Sequence, residues 1–196
     1  MTRRLVILYE DSRGPLKRFP LHDLVVRSAA ELTALPVHEL LGRVIAMPKR
    51  GVNKVLDEVA RCDRLLRGGA RVLVWVDNDG IRRALGLAPD CSRGTVISVI
   101  KARAPEAHGG SRPKPVDVFL LDDNLEDMLS SIGTRLDSTL LAKARAKRLD
   151  ARDILLDDIA RSEQLRAALR AAHRGFDCVS RFVACVAAMP TWPIPS

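Results

Sequence analysis

The chain has 196 residues, 47% of them hydrophobic, and a formal charge of +8. That length carries one domain, or one domain with a helical extension, and buries a core without disulfide or metal staples. No stretch approaches the ~20 apolar residues of a membrane span, and the apolar run near the N-terminus is too short for a signal peptide; the composition therefore predicts a soluble, cytoplasmic protein with no membrane partner.

Arg4 to Glu10 (RLVILYE) is a continuous apolar run that predicts a first strand over about 4–10, followed by a turn at Asp11-Ser12-Arg13-Gly14-Pro15. Leu21 to Leu35 has helical spacing and stops before Pro36, and Glu39 to Met47 reads as a second short helix. Pro48-Lys49-Arg50-Gly51 breaks the chain in a basic loop. Val52 to Arg67 is amphipathic, with Val52, Val55, Leu56, Val59, Cys62, Leu65 and Leu66 on one face, and Gly68-Gly69 ends it.

A second strand is predicted at about 71–77 and a short helix over Ile81 to Leu87. Thr95 to Ala102 (TVISVIKA) is rich in β-branched residues and reads as a third strand. A loop over Pro105 to Pro115 leads into a fourth strand at about 116–122, and Leu125 to Ile132 begins a helix. From about 137 to Ala188 the pattern is helical, with Asp150-Ala151-Arg152-Asp153 separating two helices, Ser162 opening another and Gly175 punctuating the last. The predicted fold is α/β, a three-layer open and mostly parallel sheet over residues 1–135, with helices over 136–190 packed on it and a tail at 191–196.

Three of the strands run into acids: Glu10-Asp11, Asp77-Asn78-Asp79, and Asp122-Asp123-Asn124-Leu125-Glu126. Parallel sheets carry their chemistry at the carboxyl ends of the strands. Carboxylates crowded at one edge repel, and a hard divalent cation relieves the repulsion. Alternate residues of a strand face one side, so Asp77 and Asp79 are expected to share one ion. Mg²⁺ needs only one or two carboxylates besides water and substrate phosphates. The bland alternative is that these acids cap turns and helices, Asp79 the helix at Ile81 and Asp123 or Asn124 the helix at Leu125.

Glu10 closing the first strand and the D-x-D of Asp77 and Asp79 closing a later one resemble the TOPRIM domain; Asp11 stands where that family's usual glycine would be. Leu125-Glu126-Asp127-Met128-Leu129 resembles the third acidic motif, and Gly175 to Phe182 the closing aromatic helix, of small stand-alone TOPRIM-like proteins of unknown function encoded near ATPases. The resemblance implies Mg²⁺- or Mn²⁺-dependent phosphodiester chemistry, that of a nuclease in nucleic-acid processing or defence. It makes Asp77 and Asp79 metal ligands, Glu10 a ligand or general acid/base, and Glu126 or Asp122 a ligand for a second ion. A second reading keeps the fold without catalysis, as an interaction or regulatory subunit of an ATPase-containing complex. Residues 71–129 also resemble the first half of a response-regulator receiver with Asp122 as acceptor, but helices follow where that fold needs two further strands.

The positive charge favours a polyanionic partner such as nucleic acid. Lys49 and Arg50 are the expected phosphate contacts, because they precede a helix N-terminus. Lys143, Arg145, Lys147 and Arg148 form a basic helix end, suited either to track a nucleic-acid backbone or to stand as a solvated face, the second being the expected reading. Cys62, Cys91, Cys178 and Cys185 have no ligand spacing and read as buried free thiols, and His22, His38, His108 and His173 are scattered. No Gly-x-Gly-x-x-Gly and no Gly-x-Ser-x-Gly is present, so neither a dinucleotide cofactor nor acyl transfer is expected.

Overall fold

The computed structural model describes residues 5–10, 21–105, 115–121, 125–146 and 148–189, Asp79 by its backbone alone. The 106–114 loop, Asp11, Asp122, Lys147, His108 and the 191–196 tail lie outside the described residues. Four strands, β1 (Leu5–Glu10), β2 (Val44–Lys49), β3 (Arg71–Asp77) and β4 (Val116–Leu121), form one sheet in the order β2-β1-β3-β4. The strands are parallel. This is the predicted open three-layer α/β class with C-terminal helices.

The helices are α1 (Leu21–Ala30), α2 (Val37–Arg43), α3 (Val52–Ala60), α4 (Asp63–Arg67), α5 (Asn78–Ala84), α6 (Arg93–Arg103), α7 (Leu125–Ser130), α8 (Ser138–Arg145), α9 (Leu149–Arg161), α10 (Glu163–Ala172) and α11 (Arg174–Ala188). Among the described residues no helix is long and apolar enough to cross a membrane.

The chain divides into two compact units. The first, built on residues 42–120 with the N-terminal strand, holds the sheet and α3 to α6. Its core joins Val6 and Leu8 of β1, Val72, Val74 and Val76 of β3, and Val116, Val118 and Leu120 of β4 to Val55, Leu56 and Val59 of α3 and Val96 and Ile100 of α6. α3 lies across β1, β2 and β3, as the connection from β2 over β1 to β3 requires. The alternate residues Ile7, Tyr9, Leu73 and Trp75 on the other face are also buried. Tyr9 and Trp75 are register neighbours there, the last aromatic layer before the strands end.

The second unit comprises residues 15–41 and 121–188. α1 packs on α9, α10 and α11, and α8 packs on α7 and α9. The helical unit therefore takes α1 and α7 from before position 135 as well as the C-terminal helices. A part-buried ionic clamp holds it. Arg166 Nε donates to Glu31 Oε1 at 2.6 Å, and Arg170 Nη1 donates to Glu31 Oε2 at 2.6 Å and to Ser28 Oγ at 2.8 Å. Arg166 also caps the carboxyl end of α9 through the carbonyls of Ile159 and Ala160.

Several local expectations are corrected. Thr95 to Ala102 is helix, not strand. Ser92 caps α6, its Oγ accepting from Thr95 N at 3.1 Å, and Val96 and Ile100 bury one face at helical spacing. Tertiary packing here overrides the strand preference of β-branched residues. Val44 to Lys49 is the edge strand β2, not the end of a helix; all six residues are half-buried. A run of four apolar residues directly after a helix does not separate the two states by periodicity. Asp150 to Asp153 lie inside α9. The single helix expected over 52–67 is broken at Arg61-Cys62 into α3 and α4. Cys62 is buried, but Cys91 is partly exposed and Cys178 and Cys185 are exposed.

Candidate active site at the carboxyl edge of the sheet

β1 is followed in the chain by a connection to β2 on one side, and β3 by a connection to β4 on the other. The strand order therefore reverses between β1 and β3. In open parallel sheets the crevice at such a switch point, outside the carboxyl ends of the strands, is where ligands bind. Glu10 is the last residue of β1 and Asp77 the last of β3. Two of the predicted carboxylates thus close the strands on either side of this point, each half-buried.

Their orientation is less simple than strand ends alone suggest. In register, Tyr9 stands opposite Trp75, and the even-numbered Val6, Leu8 and Val76 share the core beneath α3. Strand alternation gives Glu10 to that α3 face and Asp77 to the face of Tyr9 and Trp75. The two carboxylates can meet only around the rim, where the sheet ends.

Asp77 has extended backbone (φ −71°, ψ 137°) and is the N-cap residue of α5, with no capping hydrogen bond from its side chain. The helix begins at Asn78, so Asp79 is a first-turn helix residue. The expected same-side strand pairing of Asp77 and Asp79 is therefore replaced by a strand-to-helix turn. The partial positive charge of a helix start favours acids there whether or not a cation binds.

The basic side of the rim is better defined. Lys49 ends β2 in register with Glu10, and its Nζ donates to Glu58 Oε2 of α3 at 2.7 Å. Arg50 is exposed, and Gly51 (φ 86°, ψ 150°) turns the chain into α3 without a side-chain cap. Arg93 was not anticipated from the sequence. It opens α6, which runs back from the same edge, and its Nη2 donates to the carbonyl of Leu120 near the end of β4 at 2.6 Å. The β-branched content of α6, which favours a strand, conceals it; Ser92-x-x-Thr95 as a helix cap is the signal that the sequence offers.

Glu126 belongs to the helical unit, on α7, where its Oε1 accepts from Arg152 Nη1 at 2.9 Å. Arg145, from the basic helix end, donates to Ser130 Oγ at 3.0 Å. His173 caps α11, its Nδ1 accepting from Phe176 N at 3.0 Å. Among the described residues no group of three His, Cys, Asp or Glu side chains is arranged to hold a metal ion.

The chain matches no protein-family model, and searches among curated proteins and among solved structures found no match.

Proposed function

We propose that the rim between β1 and β3 is a divalent-cation and phosphate-ester site, and that the protein is a Mg²⁺- or Mn²⁺-dependent phosphodiester hydrolase, a nuclease in class. What supports the reading is one observation: Glu10 and Asp77 terminate neighbouring parallel strands on either side of the switch point. Asp77 and Asp79 would hold the ion. Two carboxylates suffice for Mg²⁺, because water and substrate phosphate complete its octahedron. The ion supplies charge neutralisation on the phosphate and lowers the pKa of a bound water.

The protein's own side chains have the remaining tasks. Glu10 takes the proton of the attacking water or serves as a further ligand. Lys49, Arg50 and Arg93 supply positive charge to phosphate oxygens at the same edge, near the uncapped start of α3. Glu126 is not assigned to this set, since Arg152 occupies it. The formal charge of +8 fits a polyanionic substrate.

The test is hydrolysis of single- and double-stranded DNA and RNA with Mg²⁺ and with Mn²⁺. Metal-dependent cleavage is expected, with Glu10→Gln and Asp77→Asn each lowering the rate at least about 100-fold, the scale of a lost general base. Cleavage that persists in both variants, or silence on all four substrates with both metals, contradicts the proposal.

A second reading has its own support. The strand alternation that separates Glu10 from Asp77, and the ion pair that holds Glu126, suit a TOPRIM-like scaffold without catalysis, acting as an interaction or regulatory subunit beside an ATPase. Stable co-purification with an ATPase, unaffected by Asp77→Asn, is the outcome this reading predicts.

A further inference from the structure

We propose that the amino edge of the sheet unit, opposite the candidate metal site, is a second anion surface, which docks the phosphate backbone of a nucleic-acid duplex without reading its sequence.

The topology gathers cations at this edge. α3 leaves the carboxyl end of β2, and α4 returns the chain to the start of β3 through Gly68 and Gly69. α6 opens at the carboxyl end of β4, where Arg93 meets the Leu120 carbonyl, and its 11 residues cover ~16 Å back toward the start of that strand. α3 and α6 pack on one another over a single core, and Cys62 and Ala104, which follow their last residues, are both buried in it. The ends of α3, α4 and α6 therefore share an edge. It carries Arg61, which closes α3, Arg64 of α4, and Lys101 and Arg103 of α6. Arg61, Arg64 and Arg103 are exposed and Lys101 is half-buried.

The acids of these elements already have cations of their own. Asp63 pairs with Arg67, Asp117 with Arg71 at 2.6 Å, Glu58 with Lys49 at 2.7 Å and Asp57 with Lys54 at 3.8 Å. α6 contains no acid. Among the described residues no carboxylate pairs with Arg61, Arg64, Lys101 or Arg103. The ends of three helices, each about half a negative charge, offset less than half of this positive charge. The surplus is what a polyanion neutralises on docking.

The surroundings identify the polyanion. Guanidinium groups fork onto phosphate oxygens. α3, α4 and α6 contain no aromatic residue, so unstacked bases of a single strand have no ring to stack on. The exposed large apolar side chains among the described residues, Leu32, Leu149, Ile154 and Met189, all lie outside these helices, so a bilayer finds no anchor here. Contact with the phosphates of a duplex is what this surface offers.

The experiment measures fluorescence anisotropy of labelled DNA and RNA duplexes of unrelated sequences, and of single strands, over a salt series in EDTA. EDTA removes any metal chemistry, and Asp77→Asn should bind as the native chain does, so failure of this surface and failure of the metal site are read separately. Binding of either duplex, irrespective of sequence, supports the proposal, and the preferred duplex identifies the source of the phosphates. Arg61→Gln with Arg64→Gln and Arg103→Gln should weaken binding at least about 10-fold and flatten the slope of log K against log salt by about 3, roughly one per phosphate contact. Lysine at the same three positions should keep the slope. Arg135→Gln with Lys143→Gln and Arg148→Gln removes the same charge from exposed positions of the helical unit and should leave the slope unchanged. Equal losses in the two glutamine variants, absence of duplex binding, or tighter binding to single strands or to phosphatidylserine vesicles overturns the proposal.

Discussion

At the scale of single residues, Glu31 has the clearest energetic role. It accepts from both Arg166 and Arg170 at side-chain exposures of 10–14% for all three residues. Removing one partner of a buried ionic group leaves the others charged and desolvated, at a cost of about 3–5 kcal/mol. Glu31→Gln should lower unfolding stability by that amount, read as a shifted urea midpoint at unchanged slope; a loss under about 1 kcal/mol would show the clamp to be solvent-screened. None of this was legible in the sequence, because 135 residues separate Glu31 from Arg166. The acids Glu10 and Asp77 were legible, since apolar runs announced the strands they close. Their opposite-face alternation was not, because it depends on the offset between β1 and β3, which no local pattern encodes.

At the scale of elements, β1, β3 and β4 could be read directly. Each is a nearly continuous apolar run in which most residues are fully buried, as strands covered on both faces must be. β2 and α6 could not. β2 is an edge strand of half-buried residues, its Pro48 in register with Tyr9, and an edge strand is where a sheet tolerates proline. α6 depends on its cap to overcome its β-branched content. Ser92→Ala should therefore cost about 1 kcal/mol, measured by chemical denaturation. The same substitution with no effect would mean that packing of Val96 and Ile100 alone holds the helix. At the start of α3, Gly51 has a backbone conformation open essentially to glycine only, so Gly51→Ala should cost about 1–3 kcal/mol and disturb the turn that carries Lys49 and Arg50. A thermal melt, with Gly68→Ala as the control of ordinary φ, checks it.

At the scale of the whole molecule, the division into a sheet unit and a helical unit was only half legible. The helical character of residues beyond 137 was plain in their periodicity. That α1 packs with those helices was not, because an amphipathic helix shows that it has an apolar face without showing what covers it. Glu126 lies on α7 in the helical unit, and its ion pair with Arg152 is what leaves it unassigned in the proposed metal set. What remains of the site is the rim: Glu10 and Asp77 at the strand ends, Asp79 in the first turn of α5, and cationic side chains along the same edge. The proposed chemistry requires that rim to chelate a cation, and calorimetric titration of the protein with Mn²⁺ and Mg²⁺ tests it most directly. Saturable binding by the native protein, abolished by Asp77→Ala with Asp79→Ala while the fold is retained, is the predicted result; no binding of either ion, or binding that the double substitution leaves unchanged, would contradict it.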